Sequence, residues 1–401
     1  MPAAHAKLSP SGSSRWMACP GSVRMTADIK SQSGSAAWNG TVTHQAGENL
    51  LNGKHCETGI SIIVDDNGTK RVEWLSKDQF TEAKHYHDYV KAICKKDKNH
   101  ELTVEMNVDL TDIAPETFGH ADAVVLENGN LHVIDLKTGA SLVSAKENSQ
   151  LKLYAYGVFK EYELFHDINN IILHIVQNNA KTGGDKSNSW SLTPDDLICW
   201  IDDEVKPAAE EALKEDSKCI PGESQCQWCD AASFCPALHE QSKSIIDDLF
   251  DELDDLGHTD DVKKAGDVLS IETVTYFLDN SKMISNLIAA CNRRVENELL
   301  SGKDVPGYKL VKGQKHKKWD DEELAYTKLT SWAKIDEVAP RKLCTPVQAE
   351  KILGKMSTTK LNKFNELWSR PDGDLVVVPV SDKRPSEKPP IDDFEDLDDE
   401  L

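Results

Sequence analysis

The sequence predicts an α/β protein in which a mixed sheet is flanked by helices, with a more helical C-terminal region beyond it. Three observations predict this. Strand-like apolar runs fill residues 100–136, a helical stretch follows from about 146 to 162, and the strongly apolar "NIILHIVQNN" (170–179) comes next. The helix is long enough to be a crossover, so the strands before and after it pair in parallel and helices cover the sheet. Within "GHADAVVLENGNLHVIDLKTG" (119–139), Asn128-Gly129 sits between apolar residues. That pair marks an antiparallel hairpin, because both central residues of a type I′ turn need φ > 0.

The remaining elements follow in order. Residues 11–30 read as helical, with Ser9 or Ser11 as N-cap. "AAWNGTVTHQAGENLLNG" gives a helix from about 41 to 52, and "SIIVDDNGTKRVEWL" (61–75) gives a hairpin. "SKDQFTEAKHYHDYVKAICKK" has the apolar spacing of a helix beginning near Ser76, and "HELTVEMNVDL" (100–110) reads as a strand. After the sheet, "TPDDLICWIDDEVKPAAEEALKE" (193–215) opens a helix with Pro in the first turn and two acids behind it. A cysteine-rich turn occupies 219–235. Four segments are expected: a domain over 1–240, an acidic linker over 241–262, a mostly helical accessory region over 263–380, and a disordered acidic tail over 381–401.

The chain has 401 residues, enough for one large domain or two ordinary ones. It has no apolar run long enough to span a membrane, and its N-terminus lacks a signal-peptide layout, so a cytoplasmic protein is expected. In that compartment the ten cysteines read as ligands or buried thiols rather than disulfides. The net charge of −22 speaks against nucleic acid at first sight. Residues 247–261 and 391–401 hold fifteen of those acids and no Lys or Arg, however, and the remainder carries only −7. The basic clusters are "KKDK" (95–98) and "KLVKGQKHKKW" (309–319), so composition leaves DNA binding open.

The hairpin carries the chemistry. With Asn128 and Gly129 as loop residues, opposed positions sum to 257, which places Asp122 opposite Asp135 and His120 opposite Lys137. Strict alternation puts all four on one face, apolar near the turn and ionic at the far end. Like charges directly opposed in a half-buried sheet repel. A cation held between them resolves the repulsion, and hard Mg2+ or Mn2+ suits oxygen ligands. Lys137, two residues after Asp135, stands where it can orient a water or stabilise developing charge on a phosphate.

Three further patterns accompany it. Gln150 and Tyr154 lie at i and i+4 on one helix face. His44 in "NGTVTHQAGENLL" is a candidate metal ligand. "CQWCDAASFCP" spaces Cys226, Cys229 and Cys235 as C-x2-C-x5-C. Three thiols need one more ligand, and Cys19 and Cys219 compete to supply it. Either a 4Fe–4S cluster or structural Zn2+ fits such a set.

Six short patterns occur in sequence: Ser-x-Ser ahead of Cys-Pro, Gly-Thr-x-x-His, Gly-His-x-Asp, Asp-x-Lys, Gln-x-x-x-Tyr, and C-x2-C-x5-C. In that order they resemble the RecB-type branch of the PD-(D/E)XK nucleases. The likeness extends to its iron–sulfur members: AddB-type exonuclease domains, CRISPR-adaptation nucleases and phage-encoded relatives. The resemblance covers roughly residues 8–240 and implies a restriction-endonuclease-like αβββαβ core. It further implies that His44, Asp122, Asp135 and the carbonyl of Leu136 bind Mg2+ or Mn2+, and that Lys137 is catalytic. Gln150 and Tyr154 would contact DNA near the scissile phosphate. Cys19, Cys226, Cys229 and Cys235 would hold the cluster. Many relatives have Glu where Asp135 stands, and the motif accepts Asp.

The expectation is therefore a metal-dependent DNA exonuclease acting on single strands or free ends, in recombination, repair or phage DNA processing. The location would be the bacterial cytoplasm if the chain is phage-encoded. A catalytically silent DNA-binding or recombination-accessory protein is the alternative. The tail "DDFEDLDDEL" offers a third reading, docking on a recombination or single-strand-binding partner.

Overall fold

A computed structural model describes residues 6–29, 35–66, 69–179, 182–254, 271–313, 317–319, 321–338, 344–354, 357–369, 375–379 and 382–387. The chain forms two compact units, residues 1–290 and 291–401. The fold is α/β, and its centre is a five-stranded mixed sheet in the first unit.

That unit begins with α1 (Ser13–Ala18) and α2 (Gly21–Thr26), followed by α3 (Ser35–Leu51). The hairpin β1 (Ser61–Asp66) and β2 (Thr69–Trp74) leads to α4 (Lys77–Cys94). Strands β3 (Glu101–Asp109), β4 (Phe118–Glu127) and β5 (Asn130–Leu136) precede α5 (Ser149–Tyr162) and β6 (Asn170–Val176). A short pair, β7 (Asn178–Asn179) and β8 (Gly184–Asp185), leads to β9 (Asn188–Leu192). The sheet order is β3-β4-β5-β6-β9, with β5 and β6 parallel across the α5 crossover and the other neighbours antiparallel. From α4 to β6 the order is helix, three strands, helix, strand. The edge strand β9 was not expected, because "NSWSL" offers too short an apolar alternation to signal it.

The hairpin has the predicted register, from Glu127↔Asn130 to Ala123↔Ile134, with Asn128 and Gly129 at φ 47° and 75°. Alternation divides its side chains between two layers. Val124, Leu126, Leu131 and Val133 pack with Leu151, Ala155 and Val158 of α5, while Ala123, Val125, Ile134 and Leu136 pack with Tyr86, Val90 and Ile93 of α4. Helix α4 begins at the predicted place, with Ser76 and Gln79 forming a reciprocal capping box.

Several expectations are corrected. In place of one helix over 11–30, the described residues 11–29 hold two short helices broken at Cys19-Pro20, where proline cannot continue the hydrogen-bond ladder. Neither Ser9 nor Ser11 caps α1, whose N-cap position is Gly12, and the side chain of Ser9 caps nothing ahead of the 3-10 turn Pro10–Gly12. The predicted 193–215 helix is interrupted by a π-helical turn, Ile201–Val205, between α6 (Pro194–Trp200) and α7 (Lys206–Ala212), close to Pro207. The expected linker is helical through Asp254 as part of α9 (Pro236–Asp254), after α8 (Glu223–Gln227). Leu238, Ser242 and Ile245 are buried at helical spacing, so an acidic face hides an apolar stripe. Residues 255–262 lie outside the described residues.

The second unit packs helices Glu322–Thr330, Ile335–Val338, Pro346–Leu353 and Thr358–Asn365 around Trp319, Leu329, Phe364 and Leu367. Strands Tyr308–Lys312 and Leu375–Pro379 pair beside them. Residues 382–387, expected to begin the disordered tail, lie against the first of these strands. Lys309 Nζ donates to the carbonyls of Asp382 and Arg384 at 2.9 and 2.8 Å, and Glu387 N–H donates to Leu310. Backbone carbonyls satisfying a lysine outweigh the polar composition there. The rest of the tail, 388–401, lies outside the described residues. Among the described residues, no helix is long and apolar enough to cross a membrane.

Candidate active site and cysteine cluster

The acids gather where the β4–β5 ladder ends. Beyond Ala123↔Ile134 there is no further paired step, and Asp122 instead accepts the N–H of Leu136 at 2.8 Å. On the other side of β4, Glu105 of β3 adopts φ 52° and leaves its ladder between the pairs Val104↔Ala123 and Met106↔Ala121. Left-handed backbone is unusual for a non-glycine residue and rotates the chain out of its alternation. The layers change hands there: Leu102 and Val104 pack on the α4 side, Met106 and Val108 on the α5 side, and Ala121 and Ala123 divide likewise.

This switch corrects the expected place of His120. It does not face Lys137 in a shared row; it is exposed and pairs with Asn107 of β3, and the Lys137 N–H bonds Val176 of β6.

The other predicted residues do converge. Lys137 Nζ stands 2.9 Å from Asp135 Oδ2 and donates to Gln150 Oε1 at 3.0 Å. Gln150 Nε2 donates to Asp135 Oδ1 at 3.3 Å and to the Tyr154 hydroxyl at 3.1 Å. His44 Nδ1 of α3 lies 3.4 Å from Asp122 Oδ2. Helix α3 reaches this position because Gly47 sits on Tyr86, where a Cβ would fall 2.9 Å from the ring. Tyr86 is itself buried, and its hydroxyl has no hydrogen-bond partner.

The electrostatics are those of crowded negative charge. Burial and the neighbouring Asp122 raise Asp135, against the pull of Lys137. Asp122 is held low: burial opposes ionisation, but His44, the Leu136 N–H and Lys137 prevail. Burial would lower His44, yet Asp122, Asp135 and Glu105 together push it up to about 9. Desolvation, then Asp122, pushes Glu105 up to about 7 although part of its side chain is open to solvent. Tyr86 is raised well above its ordinary value by burial and by the same acids.

Glu105 is the residue that sequence reasoning missed. "TVEMNV" keeps an unbroken alternation across the position, so nothing in it signals the left-handed turn or a third acid beside Asp122 and Asp135.

Among the described residues, no group of three or more His, Cys, Asp or Glu side chains could hold a metal ion as it stands. The donors are paired internally, His44 with Asp122 and Lys137 with Asp135. Chemically the set still suits a hard divalent cation: two carboxylates, an imidazole, a surplus of negative charge, and the orphaned Tyr86 hydroxyl beside them.

The second predicted constellation also assembles. Cys19, Cys219, Cys226, Cys229 and Cys235 line one small cavity with Ser22, Met25 and Pro221. Gly21 allows the approach of α2, since a Cβ there would meet the Cys219 nitrogen at 2.6 Å. Three sulfurs receive backbone donors: Ile220 N–H to Cys19 Sγ at 3.2 Å, Gly222 N–H to Cys226 Sγ at 3.4 Å, and Ala231 N–H to Cys229. N–H groups aimed at sulfur stabilise thiolates, so this set fits a thiolate-bound metal centre. Burial raises the thiols of Cys219, Cys226 and Cys229 alike, and the nearby Cys235 and Cys19 help push Cys219, which lacks such a backbone donor, up to about 12.

One solved structure similar to this chain is titled "Crystal structure of SSO0001", with 15% identity, a TM-score of 0.27, and coverage of 57% of this chain and 85% of that one. A likeness at that score carries no inference. A family match, by contrast, spans nearly the whole chain. Residues 5–385 match the family described as "Protein of unknown function (DUF2800)", and the chain belongs to that family.

Proposed function

We propose that the first unit is a divalent-metal-dependent DNA nuclease of the RecB type, with an exonuclease's preference for single strands or free ends. One observation carries this reading. Asp122, Asp135 and Lys137 meet His44 of α3 and Gln150 of α5 at one end of the β4–β5 pair, from four separate elements.

His44, Asp122, Asp135 and the Leu136 carbonyl would hold Mg2+ or Mn2+, which when bound polarises a phosphate and lowers the pKa of water. The chain's own residues do the rest. Gln150 spends both amide hydrogens on Asp135 and Tyr154, so its oxygen is left to orient the Lys137 ammonium. Lys137 thereby presents a fixed positive charge to the negative charge that develops on a phosphate under attack. Buried Tyr154 props the amide, and its raised pKa keeps it a neutral hydroxyl. His44 must give up its proton to act as a ligand, so metal loading releases protons from the site.

The cysteine cavity would hold a 4Fe–4S cluster on Cys19, Cys226, Cys229 and Cys235, tying the first helices to residues 226–235. Structural Zn2+ would satisfy the same thiols.

The test is digestion of end-labelled single- and double-stranded DNA with Mg2+ or Mn2+, comparing wild type with Lys137→Ala. The variant should lose roughly 10²–10³-fold in rate while binding DNA as before. Cleavage by the variant at the wild-type rate would refute the assigned site.

A further inference from the structure

The cysteine cavity has one polar side chain that the thiolate assignment leaves out. Besides the five thiols, its lining carries two polar side chains, Ser22 and Gln225. Gln225 is occupied: its amide donates to the Ile220 carbonyl at 3.1 Å, and its oxygen accepts the Ser224 hydroxyl at 3.0 Å. Ser22 is not. It is 3% exposed, and its hydroxyl has no hydrogen-bond partner.

A buried helical serine ordinarily turns its hydroxyl back onto a carbonyl one turn earlier. Thr26 of the same helix does this, donating to the Ser22 carbonyl at 2.8 Å. One turn before Ser22 lies the break at Cys19-Pro20, and there only its N–H is used, donating to the Cys19 carbonyl at 2.9 Å. Ser22 and Met25 are three residues apart on one face of α2, and both line the cavity. The helix cannot roll away, because the Gly21 N–H donates to the Lys218 carbonyl at 2.9 Å and the Arg24 guanidinium to the Ser217 carbonyl at 3.2 Å. A buried hydroxyl left unpaired is costly. The acceptors that this cavity supplies are sulfurs, which accept well once they carry negative charge.

We propose that Ser22 is a hydrogen-bond donor to the sulfurs of the iron–sulfur centre and sets its reduction potential. The inference rests on the cluster reading of the cysteines. Three of the thiols already take backbone N–H donors, which no side-chain substitution removes directly. Ser22 adds a donor from a side chain. A proton shared with a sulfur favours the more negative, reduced form of the centre and so raises its potential.

The experiment is a redox titration of anaerobically prepared full-length protein, followed by its visible spectrum, with iron and zinc analysis of the same samples. Ser22→Ala should keep iron at the wild-type stoichiometry and titrate at a more negative potential. Ser22→Thr keeps the hydroxyl and should titrate as wild type. Ser242→Ala is the control: that hydroxyl is also buried and unpartnered but lies outside the cavity lining, and its removal should leave the potential in place. An unmoved potential in Ser22→Ala, or an equal shift in Ser242→Ala, would overturn the proposal. If Ser22→Ala sheds its iron, Ser22→Thr decides, a wild-type potential supporting the bond and a shifted one overturning it. Wild-type protein that carries zinc and no iron would defeat the cluster reading and this proposal with it, whereas iron-loaded protein with an unmoved potential defeats the proposal alone.

Discussion

Two polar constellations lie on the same hairpin, one at each end of β4 and β5, and they are built from the same residue types. At the turn end, the Tyr89 hydroxyl meets His174 Nδ1 at 3.0 Å, His174 Nε2 meets His132 Nδ1 at 2.9 Å, and His132 Nε2 meets Glu127 Oε1 at 3.1 Å. Burial holds both histidines neutral, His174 down to about 3. A single set of tautomers then satisfies every member: Tyr89 donates to His174, His174 to His132, and His132 to Glu127. Asn128 and Asn130 also donate to Glu127, one to each carboxylate oxygen. At the other end, carboxylates are raised against each other, a histidine is held charged, and the Tyr86 hydroxyl is left over. A closed network stabilises and specifies a core. An open, crowded one is the arrangement in which a bound cation would have repulsion to relieve.

The contrast predicts a double dissociation, and it is the largest effect expected. Asp135→Ala should abolish metal-dependent cleavage and leave the melting temperature unchanged or higher, since it removes a repelled charge. His132→Ala should do the reverse. Taking one buried partner each from Glu127 and His174 and leaving a cavity costs about 3 kcal/mol, a fall in Tm of roughly 5–10 °C, with cleavage per folded molecule preserved. Thermal melts and digestion rates on both variants suffice. Equal effects of the two substitutions on both readouts would erase the distinction between the ends.

The cysteine cavity sharpens the comparison, since its five thiols are not alike. Backbone N–H donors point at Cys19 and Cys226, while Cys219 is pushed toward the protonated thiol. Cys19→Ala and Cys226→Ala should therefore release bound iron or zinc, and Cys219→Ala should retain it. Metal analysis and the visible spectrum of anaerobically prepared protein give the answer. Retention by Cys19→Ala with loss from Cys219→Ala would exchange the two roles.

Much of this was legible in the sequence because it depends on local rules. The Asn128-Gly129 turn fixes the register, and the register alone brings Asp122 near Asp135. The α4 capping box announces itself at Ser76 and Gln79. What stayed hidden depends on tertiary context. Glu105 belongs to the site only because one left-handed residue shifts the alternation of β3, and an unbroken apolar pattern conceals that shift. The same break removes His120 from the row where strict alternation places it. Acidic residues 241–254 read as a linker because composition outweighs pattern when charge is dense, yet Leu238 and Ile245 bury themselves beside the cysteines.

The smallest predicted effect concerns pH and tests the overcharged end directly. Glu105 is raised from 4.5 to about 7, so the folded state holds its proton more tightly than the unfolded chain does. Stability then falls as pH rises from about 4.5 to about 7 and is level above that window. His44 is raised from 6.5 to about 9, so its contribution is complete below 6.5 and is lost as pH rises to about 9. Below about pH 6.5 the lowered His132 and His174 gain stability with rising pH and oppose Glu105, so metal-free protein should lose melting temperature between about pH 6.5 and pH 9. Glu105 is open to solvent, which screens its share to a minor part of the slope. Glu105→Gln should turn the acidic half of the curve upward with pH and leave the basic half, while His44→Gln should flatten the basic half and leave the acidic one. Added Mn2+ should raise the melting temperature most at high pH, where the site has shed its protons and its repulsion is greatest. A melting curve of the EDTA-treated protein that rises across the same range would mean that this end of the hairpin carries no surplus of charge for a cation to relieve.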